Sequence, residues 1–136
     1  MSGKIKYREG YKYQLEEDCS EMTGITGYDI KTEYIELSPS GIMTLKKGYA
    51  CDGASGPTVD TKSSIRAAFF HDGGYQLMRE KRLPPECREA FDYLLYRLCV
   101  EDGMYELRAR VWYDAVRALA ASAADPKNDR PILEAP

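Results

Sequence analysis

The chain turns on two neighbouring segments, Cys51-Asp52-Gly53-Ala54-Ser55-Gly56-Pro57 and Ile65-Arg66-Ala67-Ala68-Phe69-Phe70-His71-Asp72-Gly73-Gly74-Tyr75. The first reads as a turn, because Asp and Ser bond nearby backbone and Gly53 permits a positive φ. The second reads as helix. Strand patterns end between them and helix patterns begin. Upstream, Tyr11, Tyr13 and Leu15 alternate with polar residues at the period of a half-buried strand. Residues 16–27 read as a polar loop, and 30–37 are rich in strand formers. Ser38-Pro39-Ser40-Gly41 is strong turn chemistry, and Ile42 to Leu45 reads as the returning arm of a hairpin.

Downstream, three helices are expected. The first is capped by Asp60 or Thr61 and runs to about Lys81. Pro84 and Pro85 suit the first turn of the second, with Glu86 near its positive end. Cys87, Ala90, Phe91, Leu94, Leu95 and Leu98 then follow the three-four spacing of a buried face. Gly103 is the stop. The third helix is expected from about Met104 to Ala124, with Tyr105, Trp112, Val116 and Leu119 toward the core. Strands followed by helices imply an α+β fold: a small antiparallel N-terminal sheet with a three-helix C-terminal half. Residues 1–124 read as one domain, and 125–136 as a polar, proline-punctuated tail that a partner would have to hold in place.

His71 is the chain's only histidine and sits beside an acid in an apolar run. Its unperturbed pKa lies closest to neutrality of any side chain, so it is the candidate for proton transfer. Tyr75, four residues on, shares its helical face. Asp72 is turned by about 100° from His71 and points elsewhere, toward the Asp52 turn. The acid expected to hold His71 is Asp92, at the edge of the second helix's apolar stripe, because a short connection makes the two helices antiparallel neighbours. Such a carboxylate fixes the imidazole tautomer and leaves the other ring nitrogen to accept a proton. Asp52 and Asp72 together offer the oxygen ligands that calcium or magnesium prefers. Gly73-Gly74 costs a helix roughly 1 kcal/mol per glycine against alanine, so either the helix breaks there or a backbone or ligand comes close.

The 136 residues carry 19 Lys plus Arg and 22 Asp plus Glu, a net charge of −3. That balance argues against nucleic-acid binding by bulk charge. Arg108, Arg110 and Arg117 on the last helix offer a local cationic alternative, against which stands a solvated helix face. No apolar run reaches membrane-span length, and the N-terminus lacks an apolar signal core, which suggests a cytoplasmic protein. Cys19, Cys51, Cys87 and Cys99 have no metal-site spacing; Cys87 and Cys99 are expected to stay reduced, while Cys19 and Cys51 could meet in space. Cys87 and Cys99, read as sharing one helix, would lie roughly 18 Å apart.

The ordered pattern resembles a phage and prophage family described as a domain of unknown function. Its matching features here are Gly48-Tyr49, Asp52-Gly53-Ala54-Ser55 with Pro57, Ala67, His71-Asp72 with Tyr75, Asp92, and Tyr113-Asp114-Ala115-Val116-Arg117. The chain departs from it at Gly56, Cys51 and Gly73-Gly74. At the level of a site, the His-Asp-x-x-Tyr helix, the preceding turn and an Asp on a second helix resemble the phospholipases of the A-two class. That resemblance implies His71 as base, Asp72 and the Asp52 turn as a calcium site, and Asp92 as orienter. The leading expectation is a phage-encoded accessory or structural protein of virion, tail or host interaction. In that reading the His-Asp network serves the fold, and other phage proteins bind through its surface or tail. The place would be the bacterial host's cytoplasm or the virion. The alternative is a metal-assisted hydrolase of an ester or phosphoester, with His71, Asp92 and Tyr75 as its catalytic set.

Overall fold

The computed structural model describes residues 7–8, 13–51 and 62–119. The expected turn at 52–57, the cap at Asp60 or Thr61, the end of the third helix and the tail lie outside these residues. Seven short strands and three helices are seen among the described residues: β1 (Tyr7–Arg8), β2 (Tyr13–Leu15), β3 (Cys19–Met22), β4 (Ile30–Lys31), β5 (Ile35–Leu37), β6 (Ile42–Leu45), β7 (Ala50–Cys51), α1 (Lys62–Arg79), α2 (Arg88–Glu101) and α3 (Glu106–Leu119). They form two antiparallel sheets, in the orders β1-β2-β7 and β3-β6-β5-β4. The fold is α+β, as the strand-then-helix order implied.

Two strand expectations need correction. The polar loop expected over 16–27 contains β3, whose Cys19 pairs with Leu45 of β6. Its one fully inward side chain is Glu21, so the usual apolar alternation is missing from the sequence. The segment 30–37 is two strands folded on each other, with Ile30 opposite Leu37. Thr32 makes the reversal without glycine. Its Oγ1 accepts from the Ile35 amide at 2.9 Å and donates to the Ile35 carbonyl at 3.0 Å. The hairpin through Pro39 and Gly41 is as expected, with β5 and β6 paired and Met43 and Leu45 turned inward.

α1 lies between the second sheet and α2, and its two glycines make both contacts close. A Cβ on Gly73 would stand 3.0 Å from Leu45 Cδ2 of the sheet. A Cβ on Gly74 would fall 2.3 Å from the Phe91 ring of α2. The helix therefore neither breaks nor opens here; the close neighbours are side chains from either side. Gly74→Ala is expected to destabilise the fold by about 3 kcal/mol, because a buried ring would have to move. Gly73→Ala should stay within about 1 kcal/mol of wild type, since Leu45 can rotate and the helix gains propensity. Urea unfolding of the two variants checks this ordering.

α2 is preceded by a 3-10 turn, Pro85–Cys87, so Cys87 precedes the helix that holds Cys99 and is only half-buried. α2 ends as Gly103 predicted. The Gly103 amide donates to the Val100 carbonyl and the Met104 amide to the Cys99 carbonyl, while Gly103 takes φ +104°. This paired capping consumes carbonyls the helix end would otherwise leave bare. It also turns Met104 inward, and Tyr105, expected in the core, is 85% exposed. Trp112 and Val116 are buried as expected, with Ala109 beside them. No disulfide joins the four cysteines, and burial pushes the Cys19 thiol up to about 11 and that of Cys99 up to about 12. No described helix is long and apolar enough to cross a membrane.

Candidate functional site

Asp92 is the centre of the site. Its carboxylate is fully buried at the point where all three helices meet. On one oxygen, Oδ1, it receives His71 Nε2 at 2.7 Å and the Tyr75 hydroxyl at 2.5 Å, both from α1. On the other, Oδ2, it accepts Arg117 Nη1 of α3 at 2.8 Å, with Arg88 Nη1 at 3.6 Å. The expected acid from the facing helix is thus the one beside the histidine. His71 and Tyr75 lie one turn apart, their ring centroids 4.2 Å from each other.

A carboxylate in this state accepts hydrogen bonds only, so Nε2 carries the imidazole proton in the neutral ring. Nδ1 has no hydrogen-bond partner among the described residues, and the His71 side chain is 13% exposed. Burial alone would push Asp92 up. Hydrogen bonds from His71 and Tyr75, the charge at His71 and the bond from Arg117 outweigh it, and the carboxyl lies below its ordinary value. Tyr75 is driven the other way, by burial first and by its bond to Asp92 second. It therefore stays protonated and donates; among the three residues expected to be catalytic it acts as a prop for Asp92.

Two residues that sequence reasoning did not assign to the site complete it. Arg88 donates to the Tyr75 hydroxyl at 3.2 Å and to the carbonyls of Val116 at 3.2 Å and Arg117 at 3.1 Å. It thereby holds α3 against α2. Arg117, read beforehand as part of a surface with Arg108 and Arg110, turns inward to Asp92 instead. Arg110 lies 3.9 Å from Asp114 on its own helix. The three arginines do not form one cationic face. Arg88 was detectable as the residue one turn before Asp92, at the spacing of an ion pair. Arg117 carried no such signal, because its partner is 25 residues away.

The expected cation site is only partly described. Asp72 is half-buried and receives the Tyr49 hydroxyl on Oδ2 at 3.4 Å. The same hydroxyl lies 3.3 Å from Gln76 Oε1. Asp52 lies outside the described residues. No group of three or more His, Cys, Asp or Glu is gathered to hold a metal among the described residues. The described ligands do not by themselves fit a divalent ion.

A second buried charge cluster lies away from His71. Arg66 donates to Glu21 of β3, to Glu101 at 3.1 Å, and through two nitrogens to Asp102 at 2.9 and 3.0 Å. Arg97 adds a bond to Glu101 at 2.9 Å and one to the Met22 carbonyl at 2.7 Å. The cluster ties the first helix to a strand and to the end of the second helix. The comparisons with protein-family models, curated proteins and solved structures found no match to this chain.

Proposed function

We propose that the helical half is a hydrolytic site in which His71 is the general base. One observation carries the reading: the buried Asp92 occupies Nε2 while Nδ1 of the half-buried ring has no described partner. In the reaction, Nδ1 takes a proton from water as the water oxygen bonds to the carbonyl carbon or phosphorus of an ester. Asp92 remains ionised and stabilises the imidazolium that forms. The imidazolium then returns the proton to the departing alkoxide as the ester bond breaks. Tyr75 and Arg117 keep Asp92 in place throughout. The resemblance to phage sequences supports a role in the host cytoplasm or on the virion, and calcium or magnesium at Asp72 with Asp52 belongs to the same reading.

His71→Ala should retain the helical circular dichroism spectrum and lose at least about a hundredfold in hydrolysis of p-nitrophenyl esters or bis-p-nitrophenyl phosphate. Millimolar calcium or magnesium should raise the melting temperature of the wild type. A wild-type chain that cleaves neither probe, with or without these ions, rules the reading out.

One feature favours the accessory role as a second reading. Asp92, on α2, gathers hydrogen-bond donors from α1 and α3 and an ion pair with Arg88 of its own helix, so the network also serves as a fastener for the helical half. In that role His71→Ala changes stability by about 1–3 kcal/mol and no turnover exists to lose. The substrate test above separates the two.

A further inference from the structure

We propose that Arg117 binds an anionic oxygen of the substrate, and that the ester served by this site is a phosphodiester. Two guanidiniums, Arg88 and Arg117, stand against the one carboxylate of Asp92, at 3.6 and 2.8 Å. Arg88 is spent. Its Nη1 donates to the Tyr75 hydroxyl and the Val116 carbonyl, its Nη2 to the Arg117 carbonyl, and its side chain is 16% exposed. Arg117 is not spent. Its side chain is 34% exposed, Nη1 bonds Asp92, and Nε and Nη2 have no hydrogen-bond partner among the described residues. His71 and Arg117 hold opposite oxygens of the same carboxylate, at 2.7 and 2.8 Å, which places both within reach of one small ester.

Charge decides which ester suits these two groups. A carboxylic ester is neutral and offers a guanidinium no ion to pair with. A phosphodiester carries one negative charge over two non-bridging oxygens, which the planar edge of a guanidinium matches. A phosphomonoester brings up to one charge more. Asp92, Asp72 beside His71, and Glu89, whose charge reaches Arg117, all count against that second charge. In turnover the water oxygen bonds to phosphorus, its proton goes to Nδ1, and the bond from phosphorus to the departing alkoxide breaks as that proton is returned to it. The charge on the non-bridging oxygens stays beside Arg117 throughout. The turnover rests on the general-base reading above; the anion site itself does not.

Two probes with the same phosphorus and leaving group isolate the charge: methyl p-nitrophenyl phosphate, an anion, and dimethyl p-nitrophenyl phosphate, its neutral counterpart. Arg117→Gln should lower kcat/KM for the anion by about thirtyfold more than for the neutral ester. A displaced Asp92 would slow both esters alike, so the ratio reports the anion contact alone. Arg117→Lys should recover part of the loss on the anion. Binding is read separately, by proton NMR at neutral pH with a chelator present so that no metal contributes. Dimethyl phosphate, which does not turn over, should bind saturably to the wild-type chain. It should bind about tenfold more weakly to Arg117→Gln and about twofold more tightly to Glu89→Gln. Thymidylyl-thymidine and glycerophosphocholine, each competing with dimethyl phosphate, separate a nucleic-acid backbone from a lipid headgroup as the natural diester. Binding that needs Arg117 on a chain without turnover keeps the anion site and removes the hydrolase. Turnover in which Arg117→Gln slows both esters equally overturns the proposal and leaves the general base standing. Dimethyl phosphate binding that Arg117→Gln leaves unchanged, no saturable binding to the wild type, or competition by neither natural diester overturns it as well.

Discussion

Replacing Arg66 with alanine is expected to lower the unfolding free energy by about 3–5 kcal/mol in urea titrations, because it strands the buried Glu21 carboxylate. Arg66 and Glu21 are each only 2% exposed, and Arg66 also carries the bonds to Glu101 and Asp102. Burial by itself would lower the Arg66 pKa, but the hydrogen bonds and charge of Asp102, followed by Glu101 and Glu21, raise it. The guanidinium is thus charged in the fold. A loss of that size is a large part of the about 5–15 kcal/mol that holds a typical domain together. The double variant Arg66→Met with Glu21→Leu removes both buried charges and should recover most of the loss. If the single alanine variant unfolds at the same urea concentration as wild type, the cluster contributes nothing to stability.

Asp92→Ala should be nearly as damaging, at about 3 kcal/mol or more, since three donors from α1 and α3 lose their acceptor together and Arg88 loses its ion-pair partner. Asp92→Asn should cost less, because it still offers one oxygen. The same carboxylate gives the fold an acid limit. Its pKa is depressed in the folded state relative to the unfolded chain. The unfolded state therefore binds the proton first as pH falls. The stabilisation from Asp92 is complete above roughly pH 4 and is lost as pH falls through the lower, folded value. In Asp92→Asn this portion of the acid dependence should vanish. Melting temperatures measured from pH 6 down to pH 2.5 in both proteins show whether it does.

The helical half was readable because its chemistry is local. The three-four spacing of Phe91, Leu94, Leu95 and Leu98, the prolines before α2 and the glycine after it each act within one turn or two. His71, Tyr75 and Asp92 were legible for the same reason, since helical spacing and one short connection decide which faces meet. What escaped depended on partners distant in sequence. β3 hides its inward position behind a glutamate, which makes sense only once Arg66, 45 residues later, is beside it. Arg66 itself stood in the apolar run Ile65 to Phe70, and a lone arginine there was the available signal. Arg117 looked like a surface cation because nothing in its own helix asks it to turn inward.

The notch at Gly74 restricts how the molecule can move. With the Phe91 ring seated in it, α1 and α2 cannot slip past one another by a turn without lifting that ring out of its seat. Breathing of the helical half is left to α3, which the Arg88 and Arg117 bonds pin to α2 at its far end. Amide hydrogens in the middle of α1 and α2 should exchange with deuterium only on global unfolding, and those of α3 should exchange earlier.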